Sequence, residues 1–149
     1  MNALPDILLA DDNPNDTELT LEALAEINLA NRVFAVRDGV EVLDYLRREG
    51  NYRSRPPGNP AFVLLDIKMP RLDGLDVLDI IRADPDLKAI PIVMLTSSRE
   101  ERDLLRSYAL GINAYVVKPV DFQQFTETVK QIGAFWAILN ERPPYENQT

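Results

Sequence analysis

The chain has no cysteine and no histidine. Without thiols there is no disulfide, thiolate nucleophile or cysteine-type zinc site, and without imidazole the commonest general base and metal ligand is missing. Any chemistry must therefore rest on carboxylates, hydroxyls, lysine and arginine. Long apolar runs are lacking too: none approaches the roughly 20 residues that span a bilayer. The N-terminal MNALPD has neither the basic start nor the long apolar stretch of a secretory signal. A cytoplasmic protein without membrane association is expected. Positive charge is the scarcer sign, with 16 Lys and Arg against 24 Asp and Glu for a net charge of −8. Direct nucleic-acid binding is disfavoured, because phosphate neutralisation needs clustered cations.

What the chain does have is a recurring short apolar motif. At 149 residues, 46% of them hydrophobic, it is long enough for one folded domain and too short for two ordinary ones. The segments ILLA (7–10), VFAV (33–36), AFVLL (61–65), PIVML (91–95) and AYVV (114–117) read as five strands. Their nearly unbroken apolar character suits a parallel sheet buried on both faces. Amphipathic segments lie between them. Pro14, with Asp16 and Glu18, opens a first helix with Thr20, Leu21, Leu24 and Ile27 on one side. Val40, Leu43 and Leu46 are expected to face inward in a second helix, and Val77, Leu78 and Ile81 in a third. Residues 100–110 form a fourth, stopped by Gly111, and Phe122, Phe125, Val129, Ile132, Trp136 and Leu139 are the stripe of a fifth. This alternation predicts an α/β, doubly wound domain with right-handed crossovers. Residues 49–60, EGNYRSRPPGNP, have the Gly, Pro and Asn density of a loop. They read first as a tolerated surface insertion and second as a partner-recognition element. The domain is expected over residues 1–140, with a polar tail at 141–149.

In such sheets ligands gather at the carboxyl ends of the strands, where the strand order reverses. That rule selects Asp11 and Asp12 after strand one, Asp66 after strand three, Thr96 and Ser97 after strand four, and Lys118 and Pro119 after strand five. Each has an ordinary reading alone: an Asp pair can cap a helix, Thr96 can do the same, and Lys118 can be a solvated charge. Their joint placement at one edge is what those readings leave unexplained. Three carboxylates meeting there repel unless a cation sits among them, and Mg²⁺ suits a site with few protein oxygens. A carboxylate can attack a phosphoryl group to form an aspartyl-phosphate, and Asp66, on the central strand, is the expected nucleophile. Lys118, the Thr96 hydroxyl and backbone N–H groups near Ile67 and Ser97 are placed to stabilise the transferred oxygens.

These residues together resemble the response-regulator receiver domain, the family of the chemotaxis regulators, over residues 6–139. The acidic pair Asp11-Asp12, the stretch LLDIKMPRLDG at 64–74, Thr96 and Lys118-Pro119 carry the resemblance. It implies a flavodoxin-like fold with five helices and strand order 2-1-3-4-5. It implies that Asp12 and Asp66 ligate Mg²⁺ directly, with Mn²⁺ or Ca²⁺ able to substitute. Asp11 would act largely through water, and the backbone carbonyl of Lys68 would complete the ligand set. It further implies a cis peptide bond before Pro119, a switch pair of Thr96 and Tyr115, and self-catalysed phosphorylation and dephosphorylation rather than turnover as an enzyme. The loop at 49–60 and the proline-containing tail resemble stand-alone regulators that partner phytochrome-type sensor histidine kinases, so output through protein–protein contact is expected. Two other functions compete. A haloacid-dehalogenase-type phosphohydrolase normally carries an Asp two residues after its nucleophile, where this chain has Lys68. A flavin-type cofactor module needs a phosphate-friendly loop after strand one, and Asp11-Asp12-Asn13-Pro14 would repel phosphate.

Within the fifth helix, Phe135 and Ile138 lie off the core stripe at about 100° per residue, and Ile138 lies nearly opposite it. The polar tail folding over them is the ordinary reading, but in receivers the surface of fourth helix, fifth strand and fifth helix commonly carries dimerisation. A homodimer through that surface is expected, with either side chain worth roughly 1.5–3 kcal/mol when buried. Sedimentation of Phe135→Glu combined with Ile138→Lys tests this: the wild type is expected to self-associate and the double variant to be monomeric. A wild type monomeric with and without phosphodonor, or a double variant that associates equally well, contradicts it.

Overall fold

The apolar segments pair into one parallel sheet in the computed structural model, which describes residues 7–26, 28–97, 100–118, 123, 124, 127 and 128. The strands are β1 (Ile7–Ala10), β2 (Val33–Val36), β3 (Phe62–Leu65), β4 (Ile92–Thr96) and β5 (Ala114–Val117). Their order is β2-β1-β3-β4-β5, as the family resemblance implies. Every residue of β1, β3 and β4 is buried, because helices cover both faces of a parallel sheet and leave no side for polar residues. At the edge, β2 leaves Phe34 and Ala35 exposed.

Four α-helices connect the strands among the described residues: α1 (Pro14–Ala25), α2 (Gly39–Arg47), α3 (Gly74–Ala83) and α4 (Glu101–Ala109). The pleat divides the core in two. Leu8, Ala10, Val63, Leu65, Ile92 and Met94 point to the face covered by α2 and α3. Ile7, Leu9, Phe62, Leu64, Val93 and Leu95 point to the other, against Ala23 and Leu24 of α1. Each Val, Leu, Ile, Phe or Met side chain among them contributes roughly 1.5–3 kcal/mol on burial. No helix among the described residues is long and apolar enough to cross a membrane.

Differences from the expected faces have local causes. In α2, Leu43 and Leu46 are buried as expected but Val40 is only half-buried, while Val42 and Tyr45 are buried instead. The stripe starts at Gly39, not Val40, because a Cβ at Gly39 would lie 2.1 Å from the Leu72 carbonyl oxygen. Close contact with the loop after β3 thus sets the rotation of the helix. In α3, Val77, Leu78 and Ile81 are buried as expected, and α4 stops before Gly111, whose φ of 84° suits glycine. In α1, Thr20 and Leu24 are buried, Leu21 is half-buried, and Ile27 lies outside the described residues. Pro119, the fifth-helix stripe, Phe135, Ile138 and the tail also lie outside them.

The loop at 49–60 is largely exposed, as a surface segment, but is tied to α2. A 3-10 turn at Gly50–Tyr52 brings Tyr52 edge-on to Tyr45 at 5.3 Å between ring centroids, and its hydroxyl donates to Glu41 Oε2 at 2.6 Å. Phe34 stacks on Tyr45 at 4.9 Å. Arg55 lies 4.3 Å over the Tyr45 ring and donates to the Tyr45 and Gly58 carbonyls.

At the end of the sheet opposite the carboxyl termini of the strands, one arginine ties three segments together. Arg82, near the end of α3, donates to the carbonyls of Lys88, Ile90, Leu110 and Gly111 at 2.8–3.0 Å. Removing it leaves these carbonyls, some of them sheltered from water, without that donor. Arg82→Ala is expected to lower stability by about 2–4 kcal/mol. Urea unfolding checks this: the midpoint is expected to fall at unchanged slope, and an unmoved midpoint would remove Arg82 from the set of essential ties.

Candidate functional site

Three backbone hydrogen bonds carry the sheet ladder one residue beyond its strands. The N–H of Asp11 donates to the Val36 carbonyl at 3.1 Å, that of Asp66 to the Ala10 carbonyl at 3.0 Å, and that of Lys118 to the Thr96 carbonyl at 2.8 Å. Each residue is thereby held in strand register at the carboxyl end of the sheet, where the order reverses beside β1 and β3. The loop after Asp66 is equally fixed. Gly74 donates its N–H to the Ile67 carbonyl at 2.7 Å, and a Cβ at Gly74 would lie 2.1 Å from the Asp66 carbonyl oxygen. Only glycine lets α3 start so close to the strand end. Arg71 in the same loop pairs with Asp38, the N-cap of α2, at 2.9 Å.

The side chains converge on one ammonium. Lys118 Nζ donates to Asp11 Oδ2 at 2.7 Å, Asp16 Oδ2 at 2.9 Å and Asp66 Oδ2 at 3.1 Å. Lys118, Asp11 and Asp66 are buried, whereas Asp12 is exposed at the rim. Burial works against the charge on Lys118, but the hydrogen bonds to Asp11 and Asp16 and the charges of Asp66 and Asp11 outweigh it, holding the ammonium above the usual lysine range. Burial pushes the Asp11 carboxyl up, against the opposing pull of Lys118 and the Asn13 N–H, and the nearby Asp66 charge adds to the rise.

Asp66 Oδ1 is buried and has no hydrogen-bond partner among the described residues. A bare carboxylate oxygen in that position costs free energy unless something of positive charge meets it. One oxygen each from Asp11, Asp12 and Asp66 lie within 4.8 Å of one another, which is the spacing and donor chemistry of a hard divalent cation. The residues present fit such an ion.

The sequence placed Asp11, Asp12, Asp66, Thr96 and Lys118 at one edge, and the structure brings them there. Thr96 is fully buried at the end of β4. Tyr115, in register with Met94, is half-buried against the core cluster that α2 and α3 cover. Lys68 is exposed in the loop after β3. Asp16 was read only as an acidic opening to α1. Its bond to Lys118 joins positions 102 residues apart, and its one available sign was the spacing of five residues from Asp11 across a helix start.

The chain matches the family model described as response regulator receiver domain over residues 7–130. It is similar to the solved structure of the bacteriophytochrome response regulator AtBRR, at 57% identity with a TM-score of 0.80, covering 94% of this chain and 100% of that one. The phosphorylated cyanobacterial phytochrome response regulator RcpA is 41% identical with a TM-score of 0.76, covering 91% and 95%. Response regulator Rcp1 of Synechocystis sp. is 36% identical over 130 residues, 87% of each chain. The Mn²⁺-bound form of Rcp1 superposes with a TM-score of 0.73 at 34% identity, covering 89% and 94%. With its sheet order, its edge of carboxylates and lysine, and these relatives, the chain belongs to the response regulator receiver domain family.

Proposed function

We propose that this receiver takes a phosphoryl group onto Asp66 from a sensor histidine kinase, in a reaction that depends on a divalent cation. The observation that carries the reading is the asymmetry of the Asp66 carboxylate. Oδ2 is held by Lys118 at 3.1 Å, while the buried Oδ1 lacks a partner among the described residues. A carboxylate oxygen of Asp66 attacks phosphorus, the bond from phosphorus to the donor breaks, and the donor leaves with that electron pair. No proton has to be taken from the nucleophile, so the absence of histidine costs the reaction nothing.

Lys118 supplies a fixed positive charge beside the transferred oxygens, and the buried Thr96 hydroxyl stands at the neighbouring strand end. Asp11, Asp12, Asp66 and the backbone carbonyl of Lys68 would hold Mg²⁺, with Mn²⁺ or Ca²⁺ able to replace it. When bound, the ion supplies neutralisation of charge on the phosphoryl oxygens. The phosphorylated state of the relative RcpA and the Mn²⁺-bound form of the relative Rcp1 support this reading. The names of AtBRR and RcpA support a phytochrome-type kinase as partner.

Thr96 and Tyr115 form the switch: the hydroxyl moves toward the phosphoryl group and the ring turns inward. The signal leaves the domain by conformational change and protein–protein contact in the cytoplasm, including self-association. This is a phosphoacceptor and not a turnover enzyme, because Lys68 stands where a phosphohydrolase would need a second carboxylate acid/base.

Treatment with acetyl phosphate and Mg²⁺, followed by intact mass, tests the proposal. The wild type is expected to gain one phosphoryl group and Asp66→Asn none. Persistent labelling of Asp66→Asn at another residue would sink the assignment.

A further inference from the structure

Asp16 occupies the third position of α1, after the N-cap Asn13, Pro14 and Asn15. An acidic side chain there ordinarily reaches back to the amide of the N-cap residue in a capping box. Here that amide is already taken, since the Asn13 N–H donates to Asp11 Oδ1 at 3.0 Å. The Asp16 carboxylate goes instead to Lys118 Nζ. The backbone of Asp16 is anchored on both sides. Its N–H donates to Asn13 Oδ1 at 3.2 Å, and its carbonyl accepts from the hydroxyl of Thr20, which is fully buried, at 2.9 Å.

An ammonium has three protons to donate, and Asp11, Asp16 and Asp66 take all three. Asp16 is outside the group of carboxylates spaced to share a cation, which is Asp11, Asp12 and Asp66. The two tasks are thus divided. Asp66 loses its carboxylate charge to an acyl phosphate when it carries a phosphoryl group, which weakens its hold on Lys118, whereas Asp16 undergoes no chemistry and is not among the carboxylates spaced to share a cation.

We propose that Asp16 is a positioning residue that holds the Lys118 ammonium at the site before and after phosphoryl transfer. On this view only one of the three bonds is exchanged, from Asp66 Oδ2 to a phosphoryl oxygen, while Asp11 and Asp16 keep the lysine in place. The inference rests on the phosphoacceptor reading of Asp66. Its ordinary competitor is a favourable charge at a helix N-terminus, which would affect helix stability and leave the chemistry alone.

The test compares Asp16→Ala, which removes the acceptor, with Asp16→Asn, which keeps a side-chain oxygen that can accept from Lys118. Both are followed by acetyl phosphate labelling kinetics, Mg²⁺ titration calorimetry and thermal unfolding. Asp16→Ala is expected to slow labelling by about tenfold, the effect of losing one charge-assisted hydrogen bond. Mg²⁺ affinity is expected to stay at the wild-type value, and Asp16→Asn to recover most of the rate. Labelling of Asp16→Ala at or above the wild-type rate overturns the proposal. So does a loss of Mg²⁺ affinity that parallels the loss of rate, or an equal slowing in both variants that tracks a lower unfolding midpoint. A wild type that takes no label overturns the phosphoacceptor reading itself, a result distinct from any difference among the Asp16 variants.

Discussion

The bonds from Lys118 Nζ to Asp11, Asp16 and Asp66 are the interaction on which the site depends. They join the carboxyl ends of three strands and the first turn of α1, and they do so where water is largely excluded. Taking a charge out of water costs several kcal/mol, and a buried ion pair recovers this only with well-made hydrogen bonds. Three acceptors around one ammonium meet that condition for the lysine. They do not meet it for the acids. Among the described residues, Asp11, Asp12, Asp16 and Asp66 set four formal negative charges against the one positive charge of Lys118. Among the described residues the site is therefore satisfied at Lys118 and under-neutralised at Asp66 Oδ1, a state that favours a cation.

The rest of the fold maintains that imbalance against collapse. Two apolar layers, one under α1 and the other under α2 and α3, fix the sheet, and the ladder bonds at Asp11, Asp66 and Lys118 transmit its register to the site. Gly39 and Gly74 allow the loop after β3 to press against α2 and against the Asp66 backbone. The Arg71–Asp38 pair closes the same loop from outside. Arg82 does comparable work at the far end, so the two ends of the strands differ: buried charges gather at one, and a single arginine ties backbone carbonyls together at the other.

Much of this was legible in the sequence, because the central strands are buried on both faces and so are written as unbroken apolar runs such as FVLL. The residue following each strand was legible for the same reason, which made Asp11, Asp66 and Lys118 stand out as the first charges after an apolar segment. Strand order came from the family resemblance, not from periodicity. What the sequence did not disclose were contacts made between one element and another. Val40 was assigned inward instead of Val42 because nothing local indicates that Leu72 presses on Gly39. The loop at 49–60 read as an insertion because the packing of Tyr52 and Arg55 on Tyr45 depends on α2. Asp16 looked like a helix-start residue because its partner, just after β5, is 102 residues away. The fifth-helix surface and the peptide bond before Pro119 lie outside the described residues.

Calorimetric unfolding of the purified chain across a Mg²⁺ titration tests most directly whether the carboxylate excess at this edge is a cation site. An ion that binds only the folded state adds about 2.7 kcal/mol at a hundredfold its dissociation constant. For a domain of this size that corresponds to a rise in the unfolding midpoint of roughly 5–10 °C. The account predicts such a rise, strongly reduced in Asp12→Ala. A midpoint that does not move with Mg²⁺, or that moves equally in Asp12→Ala, would contradict it.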